Sequence, residues 1–144
     1  MRVLTLIRFL IYKIYNLPHR WILRYFYGMD IGKNAKISRK AELDYSNNPR
    51  GIHIGDNTYV TGGVIIMTHD HVRALKTDTY IGKNCFLGAN CIILPGVKVG
   101  DHVVVGTGSV VTHDVPSHSI VVGNPAKIIK SGITLKDNGQ IVTN

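Results

Sequence analysis

Residues 81–116 read IGKNCF, LGANCI, ILPGVK, VGDHVV, VGTGSV and VTHDVP when the chain is divided into blocks of six. Every block opens with an aliphatic residue, four of the six place Gly second, and the fifth place always holds a compact side chain. Neither an α-helix, with a period of about 3.6, nor a single strand, with a period of about two, repeats in this way. A short strand, a corner and another short strand do, with the opener inside and Gly allowing the chain to turn. The stretch therefore predicts a β-solenoid.

The same register is present earlier in the chain. It runs from Ile31 to Leu43 and resumes from Ile54 to Ile66, with interruptions at 44–53 and 72–80. Three hexapeptides per turn give about four coils, which is enough for a stable solenoid. The interruptions are polar and predict loops that project from the wall, where binding sites usually lie. We expect an all-β solenoid over residues 29–130.

Residues 1–28 differ in composition from the repeats. Met1–Leu17 predicts an amphipathic helix stopped by Pro18, and a second short helix is expected over Arg20–Tyr27. No uncharged run approaches the length of a membrane span. We favour a cap over the open end of the solenoid. Packing on a neighbouring subunit, or peripheral contact of residues 1–27 with an anionic membrane, are the alternatives.

The C-terminal part leaves the repeat after Val115, through PSHSIVV into GNPAKIIK. Residues 131–144 are expected to form a tail. Within it, Asp137-Asn138-Gly139 stands between two apolar stretches and predicts a hairpin.

Composition limits the classes of partner. The chain has 144 residues and a formal net charge of +8, which fits one domain with an anionic partner. No basic block interleaved with aromatic residues is present, so nucleic acid is not expected. Cys85 and Cys91 take the compact fifth place of consecutive repeats, which predicts buried free thiols. With no signal-peptide pattern, we expect a cytoplasmic protein, with the inner face of the membrane as the alternative location.

Three features together resemble the hexapeptide-repeat acyltransferases: the repeat run, the sequence MTHDH at 67–71 before an inserted loop, and GNPAKII at 123–129. The chain looks most similar to the maltose, galactoside and nodulation-factor O-acetyltransferases and to those of surface polysaccharides. The resemblance covers about residues 31–130. It implies a left-handed parallel β-helix, acetyl-CoA as co-substrate without a metal, and a homotrimer with active sites between subunits.

The resemblance also implies a catalytic base. Transfer of an acetyl group to a hydroxyl needs a base for the proton and donors for the oxyanion. His69 stands where the family has its catalytic His, with His71 as the alternate and Asp70 as a candidate to orient either ring. The backbone N–H of Ala89 matches the position of the oxyanion donor.

Coenzyme A contacts follow from the same comparison of motifs. Phe86 replaces the usual Trp beside the thioester, and Thr107 and Gly108 match the backbone that meets the pantetheine arm. His113 replaces a family Lys near the 3′-phosphate, which makes that contact weaker or pH-dependent. The remaining matches are the basic positions that contact the phosphates, Lys127 and Lys130.

The acceptor is expected to be a saccharide. Asp44, Asn47 and Asn48 lie in the first loop and carry groups that hydrogen-bond sugar hydroxyls, although such residues are also ordinary turn formers. The basic N-terminal segment suggests a lipid-linked acceptor, as in surface-polysaccharide or O-antigen assembly. A non-catalytic scaffold and a zinc enzyme similar to the γ-class carbonic anhydrases are the alternatives from other classes. The zinc enzyme needs three suitably spaced His ligands.

Overall fold

Short strands of the chain stack in three parallel ladders, which form the three faces of a β-helix. The computed structural model describes residues 2–137 and 139–142, without the side chains of residues 2, 12, 13, 16 and 17. The first face contains β1 (Asp30–Ile31), β4 (Ile52–Ile54), β9 (Thr79–Ile81) and β12 (Lys98–Val99). The second contains β2 (Lys36–Ile37), β5 (Tyr59–Val60), β10 (Phe86–Leu87), β13 (Val104–Val105), β15 (Ser119–Gly123) and β16 (Ala126–Ser131). The third contains β3 (Glu42–Leu43), β6 (Ile65–Ile66), β11 (Ile92–Ile93) and β14 (Val110–Val111).

The aliphatic openers of the repeats form the core, as their spacing predicts. In register, Leu87 pairs with Val60 on one side and with Val105 on the other. Each buried aliphatic side chain contributes about 1.5–3 kcal/mol relative to an exposed one. All twelve openers are buried: Ile31, Ile37, Leu43, Ile54, Val60, Ile66, Ile81, Leu87, Ile93, Val99, Val105 and Val111.

The second-place glycines do not make the turns, which corrects the sequence-based expectation. A Cβ on Gly82 would lie 2.4 Å from the carbonyl oxygen of Gly100, so Gly is required for the close approach of neighbouring coils. The turn is made three places after the opener, by residues with positive φ such as Asn84 (52°) and His102 (54°). Asn is among the few residues with a side chain that adopt this conformation readily.

The N-terminal helix α1 (Arg2–Trp21) continues through Pro18, where the sequence predicted its end. A π-helical turn, Ile22–Phe26, follows it. The residues after Pro18 are held from outside the helix, because the Arg20 guanidinium donates to the carbonyl oxygen of Gly32 at 3.1 Å. Within the segment predicted as a cap, residues 1–28, Leu23 enters the hydrophobic core together with the adjacent Met29. The described apolar side chains of α1 are exposed, so the contact with the core comes from the π-helical turn and not from α1.

Both predicted loops are shorter than the sequence indicated. The first contains a 3₁₀ turn, Pro49–Gly51, and ends at β4. The second is a small hairpin of β7 (His69–Asp70) and β8 (Leu75–Lys76), and β9 starts soon after it. Both loops return early because Ile52 and Thr79 are buried and pair with each other on the first face.

After the hexapeptide repeat ends at Val115, the chain stays on the β-helix through β15 and β16. Strand β15 continues the second face in parallel with β13, and β16 folds back antiparallel onto β15. In the tail, Leu135 bridges Ile141, and the Lys136 N–H donates to the Gln140 carbonyl at 2.9 Å. These contacts form the predicted hairpin turn, although Asn138 lies outside the described residues.

Cys85 and Cys91 are free and buried, as predicted. Burial raises the pKa of Cys85 to about 11 and that of Cys91 to about 12. Because the thiolate is the reactive form, both thiols act as small core residues.

Replacement of Gly82 with Ala tests the close approach of coils. The added Cβ meets backbone at 2.4 Å, so Gly82→Ala should lower the free energy of unfolding by about 1–3 kcal/mol in urea denaturation. Gly62→Ala is the matched control, because its nearest neighbour is the Ser38 Oγ at 3.7 Å. Equal stability of Gly82→Ala and Gly62→Ala would contradict this account of the repeat.

Candidate active site

Two loops meet at the corner between the third and first faces. Asp44 follows β3 and His69 follows β6, one coil further along. Leu43 and Ile66 are register partners in adjacent coils, so the residues that follow them are stacked at the same corner. This stacking brings Asp44 into hydrogen-bonding contact with His69 although 25 residues separate them.

The carboxylate of Asp44 is buried and bonded entirely within the chain. Its Oδ2 accepts hydrogen bonds from the Thr68 N–H at 3.2 Å, the Thr68 hydroxyl at 3.0 Å and His69 Nδ1. Its Oδ1 accepts from the Asn47 N–H at 3.2 Å. Burial would raise the pKa of Asp44, but the hydrogen bonds from His69, Thr68 and Asn47 outweigh it, so the pKa lies below its ordinary value. Asp44 is therefore ionised at neutral pH.

An ionised carboxylate can only accept hydrogen bonds, so Asp44 fixes the proton of neutral His69 on Nδ1. The other ring nitrogen, Nε2, then carries the basic lone pair. It lies 3.3 Å from the side-chain nitrogen of Asn47, which can donate to it. His69 and Asn47 both line an open cleft of about 270 Å³ at this corner. The pair has the arrangement of an oriented general base.

The environment of His71 differs from that of His69. His71 is exposed and packs edge-on against the His69 ring, with ring centroids 4.5 Å apart. Asp70, the expected orienting residue, instead accepts from Arg73 Nε at 2.6 Å. Asp44 takes the orienting position, which corrects the sequence-based assignment.

The three predicted acceptor-binding residues make different contacts in this structure. Both oxygens of Asp44 accept hydrogen bonds within the chain, so this carboxylate is engaged with Thr68, His69 and Asn47. Asn48 supports the loop, since its backbone carbonyl oxygen lies 2.8 Å from the Thr68 hydroxyl, which shares its one proton between this oxygen and Asp44. The side-chain amide of Asn48 donates to the Thr68 carbonyl at 3.4 Å. Of the three predicted residues, Asn47 is the one within reach of His69 Nε2.

Thr68 and the orienting role of Asp44 were missed by sequence reasoning. The signal was present in the register, because Leu43 and Ile66 are both third-face openers one coil apart. The residues immediately after two such openers are stacked neighbours. An Asp just after one opener and a His three places after the next could have been paired on that basis.

The predicted thioester and pantetheine positions lie at a different corner, between the second and third faces. Ala89 follows β10, and Thr107 and Gly108 follow β13, one coil further. The Gly108 N–H donates to the Ala89 carbonyl at 2.9 Å, which ties these two positions together. Phe86 stacks on Tyr59 with ring centroids 5.6 Å apart. Within one chain, a face of the β-helix separates this corner from His69.

The predicted phosphate contacts are spread over two places. Lys127 and Lys130 are exposed on β16, where they pair with Val122 and Ile120 of β15. His113 follows β14 at the His69 corner, and its Nδ1 lies 2.8 Å from the Thr112 hydroxyl.

Two of the other histidines, His102 and His118, have structural partners. His102 and His118 stack with ring centroids 4.9 Å apart, and both hold the C-terminal tail. The Leu135 N–H donates to His102 Nδ1 at 3.1 Å, and His118 Nδ1 contacts the Ile133 carbonyl at 2.8 Å. Within residues 2–137 and 139–142, no group of three His, Cys, Asp or Glu residues is placed to hold a metal ion.

Comparisons with known proteins agree with the repeat and the fold. Residues 79–113 match the family model described as "Hexapeptide repeat of succinyl-transferase". Protein CapG of Staphylococcus aureus is 41% identical over 114 residues, covering 72% of this chain and 66% of CapG. The crystal structure of a maltose O-acetyltransferase from Clostridium difficile 630 has 30% identity and a TM-score of 0.60, covering 78% of this chain and 73% of that chain.

A second solved structure, the polySia-specific acetyltransferase NeuO, is 32% identical with a TM-score of 0.58 and covers 70% of this chain and 50% of that chain. The chain spans about two thirds of the length of two curated relatives that it matches, 66% of CapG and 64% of YvoF from Bacillus subtilis. The solved neighbours imply that the β-helix is left-handed. On the repeat, the fold and these similarities, the chain belongs to the hexapeptide-repeat acyltransferase superfamily.

Proposed function

We propose that the protein is an O-acetyltransferase that moves an acetyl group from acetyl-CoA to a hydroxyl of a saccharide. The observation that carries this proposal is the Asp44–His69 pair, which leaves Nε2 of His69 as a base beside an open cleft. Family membership supplies the reaction class, and the pair supplies the group that such a reaction needs.

The proposed reaction uses Nε2 of His69, the ring nitrogen without a proton, as the base. Nε2 takes the proton of the acceptor hydroxyl while the hydroxyl oxygen forms a bond to the thioester carbonyl carbon. The buried Asp44 carboxylate stabilises the imidazolium that results, through the same Nδ1–H contact. When the carbon–sulfur bond breaks, the coenzyme A sulfur leaves as the thiol after receiving that proton. The products are the acetyl ester and free coenzyme A.

Asn47 is proposed to contact the acceptor. In the unliganded chain its amide nitrogen lies 3.3 Å from His69 Nε2, where an acceptor hydroxyl would lie during reaction. The hydroxyl replaces this contact, and the amide is then free to bond to the acceptor oxygen or to a neighbouring hydroxyl. Asn48 and Asp44 hold the loop in place.

A second copy of the chain is proposed to complete the site. Ala89, Thr107 and Gly108 lie at the corner between the second and third faces, away from His69. In a trimer, this corner of one subunit can face the His69 corner of the next, with the Ala89 N–H meeting the oxyanion. Phe86, His113, Lys127 and Lys130 are proposed as the further contacts with coenzyme A. A sedimentation mass equal to one chain at assay concentration would contradict this arrangement.

A saccharide is the proposed acceptor because two of the similar proteins are named for one: a maltose O-acetyltransferase and a polySia-specific acetyltransferase. The basic N-terminal segment supports an acceptor held at a membrane, such as a lipid-linked unit of a surface polysaccharide.

Thermal unfolding with acetyl-CoA tests the co-substrate. A ligand at about a hundred times its dissociation constant stabilises the folded state by roughly 2.7 kcal/mol, so the melting temperature should rise by several degrees. Coenzyme A should give a similar shift, whereas adenosine without the pantetheine arm should give a smaller one. No shift at millimolar acetyl-CoA would overturn the proposed function while leaving the fold unaffected.

Separate replacement of His69 and His71 tests which of the two is the catalytic base. His69→Ala should lower kcat by at least about a hundredfold, because a positioned base contributes that much. His71→Ala removes a ring that packs on His69 and should retain most of the activity. Release of free thiol from acetyl-CoA is the measurement, with circular dichroism as the control for folding. An active His69→Ala with an inactive His71→Ala would move the base to His71.

Asp44→Asn tests the orienting carboxylate through both stability and activity. Because the native pKa of Asp44 is lowered, the ionised group stabilises the fold at neutral pH, and this contribution is lost as pH falls through the native pKa. The difference in unfolding free energy between wild type and variant should therefore shrink below about pH 4. The variant should also lose up to about ten-thousandfold in kcat, because the amide no longer holds the proton of His69 on Nδ1, with an altered pH–rate profile. A difference in stability that is the same at pH 7 and pH 3 would contradict the assigned ionisation.

A further inference from the structure

Residues 3–11 of helix α1 are exposed on every side, the apolar residues included. Leu6, Leu10 and Ile14 are 64%, 59% and 66% exposed. The contacts with the β-helix come from other parts of the helix. Arg39 donates to the Tyr15 carbonyl at 2.6 Å, and its guanidinium lies 3.9 Å from the Tyr15 ring centroid. Among the described side chains, Leu6, Leu10 and Ile14 therefore form an exposed apolar stripe on α1.

The exposed stripe continues into the π-helical turn as an aromatic cluster. Trp21, Tyr25 and Phe26 are 62%, 67% and 77% exposed, and the Trp21 and Tyr25 rings lie 5.3 Å apart. Indole and phenol rings combine an apolar body with a polar tip, which suits the boundary between water and lipid. The composition of the stripe therefore changes from aliphatic to aromatic along its length.

The charge around this stripe is of one sign. No Asp or Glu precedes Asp30, whereas Arg8 and Arg24 are exposed on the helical segment. Beside α1, a cleft of about 440 Å³ is lined by Lys36, Arg39 and Lys40 and by no acidic residue. The Lys36 ammonium lies 5.5 Å from the Tyr59 ring centroid. The cleft can receive an anionic group.

A contiguous apolar surface of this kind marks an interaction site. A second copy of α1 would bring more cations and no carboxylate to the stripe, so the charges would repel. An anionic phospholipid surface supplies both an apolar layer and phosphate groups. No helix within residues 2–137 and 139–142 is long and apolar enough to cross a membrane, which is consistent with a helix in the plane of the interface.

We propose that α1 and the following π-helical turn dock the protein on an anionic phospholipid surface, with a lipid phosphate in the cleft of Lys36, Arg39 and Lys40. The apolar stripe enters the boundary between head groups and acyl chains, and the cations border it. This proposal does not rest on the proposed catalytic function, and binding is measured without acetyl-CoA or acceptor.

Flotation of the full-length protein with vesicles tests the proposal. We expect it to float with phosphatidylcholine vesicles that contain about 30% phosphatidylglycerol, and at least about tenfold less with phosphatidylcholine alone. Salt at about 1 M, where the Debye length is about 3 Å, should weaken the binding strongly. Leu10→Glu/Ile14→Glu, which places two charges in the stripe, should reduce it by about tenfold or more.

Matched variants control for charge. Val72→Glu/Ile129→Glu adds the same charge at two exposed apolar residues away from α1 and should bind almost as wild type does. Arg39→Ala/Lys40→Ala should weaken binding about tenfold, whereas Lys33→Ala/Lys83→Ala, which removes two exposed lysines from another corner, should change it less than about twofold. Circular dichroism checks that each variant is folded.

Three results would overturn the proposal. The first is wild-type protein that stays in solution with anionic vesicles. The second is an equal loss of binding in the Val72→Glu/Ile129→Glu control. The third is a combined result, in which wild type does not bind vesicles and Leu10→Glu/Ile14→Glu lowers the mass of the oligomer. That result would show that the apolar stripe contacts a neighbouring copy of the chain.

Discussion

The stacking of one coil directly on the next is the constraint on which the rest of the structure depends. Parallel ladders bring the backbone of adjacent coils so close that a Cβ on Gly82 would lie 2.4 Å from the Gly100 carbonyl oxygen, and a Cβ on Gly55 would lie 2.6 Å from Gly82. The openers are buried by the same stacking. The hexapeptide pattern therefore reflects the contacts between coils as well as the conformation within each coil.

The same constraint builds the candidate site. Because Leu43 and Ile66 are held in register, the segments after them leave the wall at one corner, one above the other. Asp44 can then bond to both Thr68 and His69, and the hydrogen bonds outweigh the effect of burial on its pKa. A rigid wall with two short loops therefore orients the His69 ring to within hydrogen-bonding precision, which flexible loops alone would not achieve.

The N-terminal helix differs from the β-helix in the exposure of its apolar residues. The β-helix buries the aliphatic openers of its repeats, whereas α1 exposes Leu6, Leu10 and Ile14 and is held by contacts of Arg20 and Arg39. The core of the first coil is completed by Leu23 and Met29. Apolar residues in this chain thus have two separate roles, one inside the solenoid and one at an outer surface.

The sequence by itself determined the repeat, the buried openers and the positions of the two loops, because each depends on local spacing and residue type. The choice of His69 came from the resemblance of its motif to the family, and its catalytic role stays a prediction. The sequence also indicated Cys85 and Cys91 as buried thiols. Only the tertiary structure decided that Asp44 orients His69 while Asp70 pairs with Arg73, because that choice depends on which coil lies above which. It likewise decided that α1 continues past Pro18 and leaves its described apolar side chains exposed, since contacts with residues 32 and 39 hold the helix. Hydrophobic periodicity shows that a helix has two sides, but the rest of the fold determines whether either side is buried.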